Sequence, residues 1–119
     1  MKLSVYMIAC NEEKRLEKTM QALSQVADEI VFVDSGSTDS TIDIAKRYNA
    51  RIFQRQWISH ADQKNFAQNQ CQYDWLLSLD ADEVLSPKLI DEINELKKTE
   101  PSYKVYALKI AEMFPGTQY

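Results

Sequence analysis

Glycine is scarce in this chain. Two of its 119 residues are glycine, and they lie far apart, at Gly36 and Gly116. A dinucleotide-binding fold needs a glycine-rich phosphate loop after its first strand, and a P-loop needs a glycine-rich run that ends in Lys-Ser or Lys-Thr. Neither pattern is present. The sequence therefore argues against NAD binding and against a nucleotide triphosphatase of the P-loop class.

Cysteine, histidine and long apolar runs are also few. Cys10 and Cys71 lie far apart and form no Cys-x-x-Cys pair, and His60 is the only histidine. This pattern argues against a disulfide and against a zinc site. No apolar run approaches the roughly 20 residues of a membrane-spanning helix, and the first residues show no leader-peptide cleavage pattern. We therefore expect reduced thiols and a cytoplasmic protein.

Basic clusters are missing as well. The formal net charge is −4 at pH 7, with 18 acidic and 14 basic residues, and no predicted face collects the lysines and arginines. A nucleic-acid-binding surface normally carries such a collection. We therefore expect no nucleic-acid partner, and an anionic ligand would need a cation to approach this chain.

The pattern of apolar residues predicts a single α/β domain over residues 1–119. Apolar runs typical of strands cover residues 3–9, 29–34, 50–54, 73–79 and 103–110. Amphipathic or capped segments at 12–25, 39–48, 60–71 and from 87 onward are predicted helices. The order β-α-β-α-β-α-β-α-β predicts a mostly parallel sheet with helices on both faces.

Acidic residues follow two of the predicted strands. Asp34 ends the second strand, and Asp80, Asp82 and Glu83 follow the fourth. Parallel strands joined by right-handed crossovers would place these residues and the segment 9–11 along one rim, where open α/β sheets bind ligands. Neighbouring carboxylates repel one another, and oxygen ligands without a nearby Cys or His favour Mg²⁺ or Mn²⁺ over Zn²⁺.

The Asp-x-Asp spacing also has an ordinary explanation. A strand that ends in a solvated acidic turn, before a helix cap at Ser86, would give the same residues. Asp34 favours the functional interpretation, because doubly wound folds place a ribose-binding carboxylate at the end of the second strand. In the loop that follows, Gly36 can adopt a positive φ, and the hydroxyl groups or Asp39 can cap the next helix.

Three segments together resemble the nucleotide-binding half of a family 2 glycosyltransferase with the Rossmann-like GT-A fold. They are residues 5–13, an apolar strand that ends in Asn-Glu-Glu, the Val-Asp-Ser-Gly-Ser-Thr-Asp loop of 33–39, and the Leu-Asp-Ala-Asp-Glu segment of 79–83. The Gln-Lys-Asn-Phe-Ala segment of 63–67 further resembles the β-1,4-glucosyltransferase-like branch of lipopolysaccharide inner-core synthesis. That branch usually has a glycine-rich stretch just before this segment, where this chain has Ser-His-Ala.

The resemblance implies roles for individual residues. It assigns nucleotide-sugar binding to Ala9, Cys10, Asn11, Glu12, Asp34, Lys64, Asp80 and Ala81. Asp34 would contact the uracil or its ribose, and Lys64 would contact a phosphate unless it is a plain solvated helix lysine. Asp82, together with Asp80, would ligate the Mg²⁺ or Mn²⁺ ion that holds the diphosphate. His60, on a polar helix, is interpreted as a surface residue.

The activity implied is a metal-dependent, inverting transfer of a sugar from a nucleotide-diphosphate donor, with UDP as the nucleotide. The acceptor would be a glycan or a lipid-linked glycan of the lipopolysaccharide core or another envelope polysaccharide. The resemblance covers residues 3–110, about the first half of a typical family member. We therefore expect the general base to lie outside this chain and these 119 residues alone to be inactive. Peripheral association with the inner membrane through further segments, and self-association, are also expected.

Two other classes stay open at this point. A nucleotidyltransferase also uses strand-end carboxylates with Mg²⁺, but it would normally carry a glycine-rich, basic loop where this chain has Asn-Glu-Glu at 11–13. A sugar-nucleotide-binding module without transfer activity would show the same residues as the enzyme.

Overall fold

The structure, a computed structural model, describes residues 1–98. Strands and helices alternate strictly along this range. The strands are β1 (Leu3–Ala9), β2 (Glu29–Asp34), β3 (Arg51–Gln54) and β4 (Trp75–Ser78), and the helices are α1 (Glu13–Leu23), α2 (Thr41–Arg47), α3 (His60–Gln70) and α4 (Pro87–Lys97). The predicted α/β order is confirmed for this part of the chain. The predicted fifth strand at 103–110 lies outside the described residues.

The four strands form one parallel sheet in the order β3-β2-β1-β4. On one side β1 pairs with β2, and Ala9 stands opposite Asp34. On its other side β1 pairs with β4, and Tyr6 stands opposite Ser78. The order of the strands therefore reverses at β1, and doubly wound sheets bind their ligands in the crevice that such a reversal opens.

Helices cover both faces of the sheet. Val5 of β1 and Phe32 of β2 belong to the larger core, which α1, α2 and α4 complete. Val31 and Val33 face the other way and pack with Ala67 of α3. Alternate residues of β2 thus enter different cores. This burial on both faces explains why the strand is a continuous apolar run and does not alternate.

Short local signals set where two of the helices begin. The Ser86 hydroxyl oxygen accepts the Leu89 N–H at 3.1 Å, and Pro87, which has no N–H to leave unpaired, takes the first helical position of α4. The Ser59 hydroxyl oxygen accepts the Asp62 N–H at 3.1 Å at the start of α3. Within residues 1–98, none of the helices is long and apolar enough to span a bilayer.

Strand β4 is shorter than the predicted run of 73–79. The Tyr73 N–H donates to the side-chain oxygen of Ser4 at 3.3 Å. At the other end, the Leu79 N–H still donates to the Tyr6 carbonyl at 3.1 Å, beyond the last strand residue. Before Trp75, a hydrogen bond to a side chain therefore takes the place of a backbone hydrogen bond between strands. At its carboxyl end, β4 remains hydrogen-bonded to β1 as far as Leu79, directly before the acidic residues.

Candidate functional site

A cleft of about 500 Å³ opens at the carboxyl edge of the sheet. The end of β1, the loops after β1, β2 and β4, the segment between β3 and α3, and the first residue of α3 supply its walls. The lining residues are Ile8, Ala9, Cys10, Glu12, Ser35, Trp57, His60, Asp80, Ala81 and Asp82. The rim predicted from the strand order is therefore present. It brings together most of the predicted binding residues, namely Ala9, Cys10, Glu12, Asp80, Ala81 and Asp82.

Asp80 and Asp82 share one tight turn after β4. The Glu83 N–H donates to the Asp80 carbonyl at 3.0 Å, and the Glu83 carboxylate accepts the Asp80 N–H at 2.8 Å. About half of each aspartate side chain is exposed, 49% for Asp80 and 48% for Asp82. Burial raises the pKa of Asp80; Lys64 lowers it, but Glu83 and Asp82 raise it further, so the net shift is upward. Burial, with the nearby carboxylates, therefore outweighs the effect of Lys64 on Asp80.

Each of these aspartates has one positive neighbour. The Lys64 ammonium lies 3.8 Å from an Asp80 oxygen and donates a hydrogen bond to the Ser78 hydroxyl. On the other side of the sheet, Arg15 Nη1 of α1 lies 3.3 Å from an Asp82 oxygen. Lys64 is not part of the cleft wall, but it contacts a carboxylate that is. Its predicted contact with a phosphate stays a prediction.

Glu12 and Asn11 connect the loops after β1 and β2. The Asn11 N–H donates to the Ser37 hydroxyl oxygen at 2.8 Å, and the Asn11 side-chain oxygen accepts the Thr38 N–H at 2.8 Å. Asn11 has a φ of +53° and lies outside the cleft wall. The Glu12 N–H donates to the Thr41 hydroxyl oxygen at 2.8 Å. Within residues 1–98, Glu12 Oε2 is buried without a hydrogen-bond partner.

Asp34 is fully buried and lies outside the cleft wall. Its Oδ2 accepts the N–H groups of Gly36 and Ser37 at 2.9 and 2.8 Å, and its Oδ1 accepts the Ser37 hydroxyl hydrogen. Gly36 adopts the predicted positive φ, +114°. Asp34 therefore shapes the loop after β2, and its predicted contact with uracil or ribose stays a prediction.

Three residues at the cleft were not among the predicted site residues, although Ser35 belongs to the 33–39 segment. Ser35 and Trp57 line it, and Arg15 contacts two of its carboxylates. The Trp57 ring is 48% exposed and meets the His60 ring edge to face, with centroids 6.3 Å apart. His60 is exposed, as interpreted from the sequence, and it also lines the cleft. In the sequence, the signal available for this wall was a tryptophan three positions before the single histidine.

The carboxylates suit a metal ion that arrives with an anionic ligand. Within residues 1–98, no three His, Cys, Asp or Glu side chains converge as a ligand set. An Mg²⁺ ion bound with phosphates commonly takes one or two protein carboxylates and completes its shell with phosphate oxygens and water. Asp80 and Asp82 fit that demand, and Glu12 Oε2, which accepts no hydrogen bond within residues 1–98 and lies 3.9 Å from Arg15 Nε, is a further acceptor in the same cleft.

Sequence comparison matches the chain to one family model and to several curated relatives. The model described as glycosyl transferase family 2 matches residues 4–112. An uncharacterized glycosyltransferase of Rickettsia typhi is 37% identical over 119 residues, which cover 98% of this chain and 41% of the relative. The lipopolysaccharide core biosynthesis glycosyltransferase LpsC of Rhizobium meliloti is 40% identical over 99 residues, which cover 79% of this chain and 36% of LpsC. The chain thus spans about two fifths of the length of these relatives.

Solved structures share the arrangement of strands and helices. S. aureus TarS 1–349 in complex with UDP-GlcNAc superposes with a TM-score of 0.68 and 25% identity, over 82% of this chain and 31% of TarS 1–349. M. tuberculosis glucosyl-3-phosphoglycerate synthase superposes with a TM-score of 0.61 and 22% identity, over 76% of this chain and 38% of the synthase. The second likeness concerns the fold alone. Together these structures confirm the predicted GT-A type of α/β fold.

Proposed function

The chain belongs to glycosyltransferase family 2, and on that basis we propose that the protein transfers a sugar from a UDP-linked donor to a glycan or lipid-linked acceptor, with inversion at the anomeric carbon. One observation carries the proposal. Asp80 and Asp82 lie in the cleft at the carboxyl edge of the sheet, beside the end of β1. An open α/β sheet binds a nucleotide at that edge.

Asp80 and Asp82 would hold an Mg²⁺ or Mn²⁺ ion together with the donor diphosphate. Such an ion supplies positive charge that stabilises the diphosphate as it departs. The single turn closed by Glu83 positions both carboxylates, and both side chains are about half exposed, which leaves room for phosphate. Lys64, beside Asp80, is the first candidate for a direct contact with a phosphate oxygen.

The nucleoside would lie against the end of β1. Glu12 Oε2 is a buried acceptor without a hydrogen-bond donor among residues 1–98, since Arg15 Nε is 3.9 Å away, and a buried oxygen that accepts no hydrogen bond costs free energy. A ribose hydroxyl is a donor that would satisfy it. Ala9 and Cys10 form the wall beside Glu12. The structures of TarS with UDP and with UDP-GlcNAc support uridine as the nucleoside.

The acceptor and the location are proposed on separate grounds. The relative LpsC is named for lipopolysaccharide core biosynthesis, which supports an acceptor of that class. Cys10 and Cys71 are both free thiols, which supports a reducing compartment such as the cytoplasm, at the membrane face that presents lipid-linked acceptors. The general base, worth about 10² to 10⁴ in rate, is proposed to lie in the acceptor-binding part, outside the described residues.

Calorimetric titration of UDP in Mn²⁺ and in EDTA tests the proposal. We expect saturable binding in Mn²⁺ and at least about tenfold weaker binding in EDTA, a difference of about 1.4 kcal/mol. Asp82→Asn should abolish that difference. The control Asp74→Asn removes the same charge from an exposed position at the opposite edge of the sheet. This variant should still bind UDP more tightly in Mn²⁺ than in EDTA. Equal UDP affinity with and without EDTA would refute the metal assignment, and no UDP binding in either buffer would refute the donor assignment.

A further inference from the structure

Arg15 holds a carboxylate that the proposed metal ion would need. Its Nη1 lies 3.3 Å from Asp82 Oδ2, at the rim of the cleft. We propose that Arg15 is a phosphate-binding residue of the donor site that changes partner. In the metal-free protein its guanidinium neutralises Asp82, and when a divalent cation takes Asp82, the guanidinium binds the donor diphosphate. This inference rests on the proposed function and adds a residue to it.

The surroundings of Arg15 support a change of partner. Its Nε also lies 3.9 Å from Glu12 Oε2, so the guanidinium stands between two carboxylates that both line the cleft. In the proposed complex, a metal ion would occupy Asp82 and a ribose hydroxyl would occupy Glu12. The metal ion would then displace Arg15 from Asp82, its nearer partner, and the diphosphate is the anion that replaces this carboxylate.

The contact between Arg15 and Asp82 is easily exchanged. The Arg15 side chain is 64% exposed and that of Asp82 is 48% exposed. Exposed ion pairs contribute little to stability, so breaking this one costs little. A divalent cation and a guanidinium at the same carboxylate would repel each other. Guanidinium groups bind phosphate oxygens through two parallel hydrogen bonds, which makes the diphosphate a suitable second partner.

Helix α1 keeps Arg15 within reach of the site. Thr19, one turn further along α1, donates its hydroxyl hydrogen to the Ala81 carbonyl at 2.7 Å in a buried hydrogen bond. This bond fixes the helix to the turn that carries Asp80 and Asp82. The Arg15 side chain can therefore exchange partners while its backbone remains in place.

Mn²⁺ binding without nucleotide gives the first half of the test. Arg15→Gln removes the competitor for Asp82, so it should bind Mn²⁺ roughly two- to fivefold more tightly than the wild-type protein, the range expected for an exposed pair. Lys14→Gln removes the same charge from the neighbouring exposed position and should change the affinity much less. In an Asp82→Asn background, Arg15→Gln should have no further effect. Electron paramagnetic resonance of free Mn²⁺ measures these affinities.

UDP binding at saturating Mn²⁺ gives the second half. Arg15→Gln should now weaken UDP binding roughly tenfold or more, because a charged hydrogen bond to phosphate is lost. Arg15→Lys should recover part of the affinity, and Lys14→Gln should leave it unchanged. The opposite signs of the Mn²⁺ and UDP effects are the signature of a change of partner.

The outcomes separate this inference from the proposed function. If the wild-type protein binds Mn²⁺ and UDP but Arg15→Gln behaves like Lys14→Gln, or shifts both affinities in the same direction, the role of Arg15 is refuted. If the wild-type protein binds neither probe, the proposed function fails and the inference fails with it. Matching thermal unfolding of the variants and the wild-type protein shows that the comparison is made between folded proteins.

Discussion

The carboxylate of Asp34 holds Ser37 through both of its oxygens. Oδ2 accepts the Ser37 N–H at 2.8 Å, and Oδ1 accepts the hydroxyl hydrogen of the same residue. The Ser37 hydroxyl oxygen in turn accepts the Asn11 N–H at 2.8 Å. A fully buried carboxylate at the end of β2 therefore connects the loop after β2 to the loop after β1.

Asp34→Ala should destabilise the protein by about 1.5 to 3 kcal/mol, because it removes the hydrogen bonds that a buried carboxylate accepts from Gly36 and Ser37. Urea unfolding followed by circular dichroism measures the loss. Asp91→Ala, at an exposed position of α4, is the matched control and should change the free energy of unfolding by less than about 0.5 kcal/mol. If Asp34→Ala is no more destabilised than Asp91→Ala, the loop does not depend on this carboxylate.

The same variant tests the predicted nucleoside contact. Asp34→Ala should weaken uridine and UDP binding by similar factors, since the loop it supports lies at the nucleoside end of the proposed site. Calorimetry with both ligands makes the comparison. Weaker UDP binding with unchanged uridine binding would instead connect Asp34 to the metal and the diphosphate.

Glu29 should make the free energy of unfolding depend on pH in the acidic range. Its side chain is 6% exposed and accepts hydrogen bonds from the Ser4 hydroxyl, the Gln72 N–H and Arg51. Burial raises the pKa of Glu29, but these hydrogen bonds outweigh burial and lower the pKa below its ordinary value of 4.5. A carboxyl group with a lower pKa in the folded state contributes stability above its unfolded-state pKa and loses it as the pH falls through the folded value.

Glu29→Gln should therefore make the free energy of unfolding less dependent on pH in the acidic range. Between about pH 6 and about pH 3, the wild-type protein should lose more free energy of unfolding than the variant does. Glu95→Gln is the control, because Glu95 is 74% exposed in a surface pair with Lys98. Urea titrations at a series of pH values give the slopes. Parallel curves for Glu29→Gln and the wild-type protein would show that Glu29 does not carry this dependence.

The two cysteines should react at different rates. Cys10 is exposed and lines the cleft. Burial, and then the charge of Glu29, raise the pKa of Cys71 to about 11, so at about pH 8 very little of it is the reactive thiolate. A thiol reagent such as DTNB should label Cys10 first. Cys10→Ser should remove the fast phase, and Cys71→Ser should retain it.

Ligand protection extends this experiment to the site. UDP with Mn²⁺ should slow the labelling of Cys10 in the Cys71→Ser variant, because Cys10 belongs to the cleft wall. UDP in EDTA should protect it less. Labelling of Cys10 that is unaffected by saturating UDP and Mn²⁺ would place the nucleotide away from the end of β1.

Trp57 should contribute to donor binding without contributing much to stability. Its ring is half exposed in the cleft wall, so Trp57→Ala leaves no buried cavity and should change the free energy of unfolding by less than about 0.5 kcal/mol. The variant should bind UDP-sugar more weakly and lose the ligand-induced change in tryptophan fluorescence. Ile58→Ala, at a 72% exposed position outside the cleft wall, should bind normally. If the two variants bind UDP-sugar with equal affinity, Trp57 does not contribute to donor binding.

The sequence predicted the centre of the sheet well because β1 and β2 are buried along most of their length. The predicted runs 3–9 and 29–34 coincide with β1 and β2, and the helix start at Ser86 and Pro87 is where the structure has it. In a parallel sheet the carboxyl ends of the strands share one edge. The meeting of Asp80 and Asp82 with the end of β1 followed from this rule.

The remaining parts of the site depend on side-chain direction and on contacts between distant segments. Asp34 ends its strand as predicted, but its carboxylate turns into its own loop, a choice that hydrogen-bond donors at Gly36 and Ser37 decide. Arg15 follows the pattern of an exposed helix residue, and its pairing with Asp82 arises only when α1 packs against the turn after β4. The periodicity of apolar residues indicates which side chains are buried, but it does not indicate which exposed charged side chains form ion pairs.

Helix α1 is hydrogen-bonded to two other segments of the chain, so it cannot be exchanged on its own without losing these contacts. The Glu12 N–H at its start donates to the Thr41 hydroxyl oxygen at 2.8 Å, and Thr19 in its middle donates to the Ala81 carbonyl at 2.7 Å. A chimera that takes α1 alone from a relative would break both connections unless the relative presents the same two groups. Recombination within this family should therefore preserve function when α1 is exchanged together with the segments 34–41 and 79–83, and impair it when α1 is exchanged by itself.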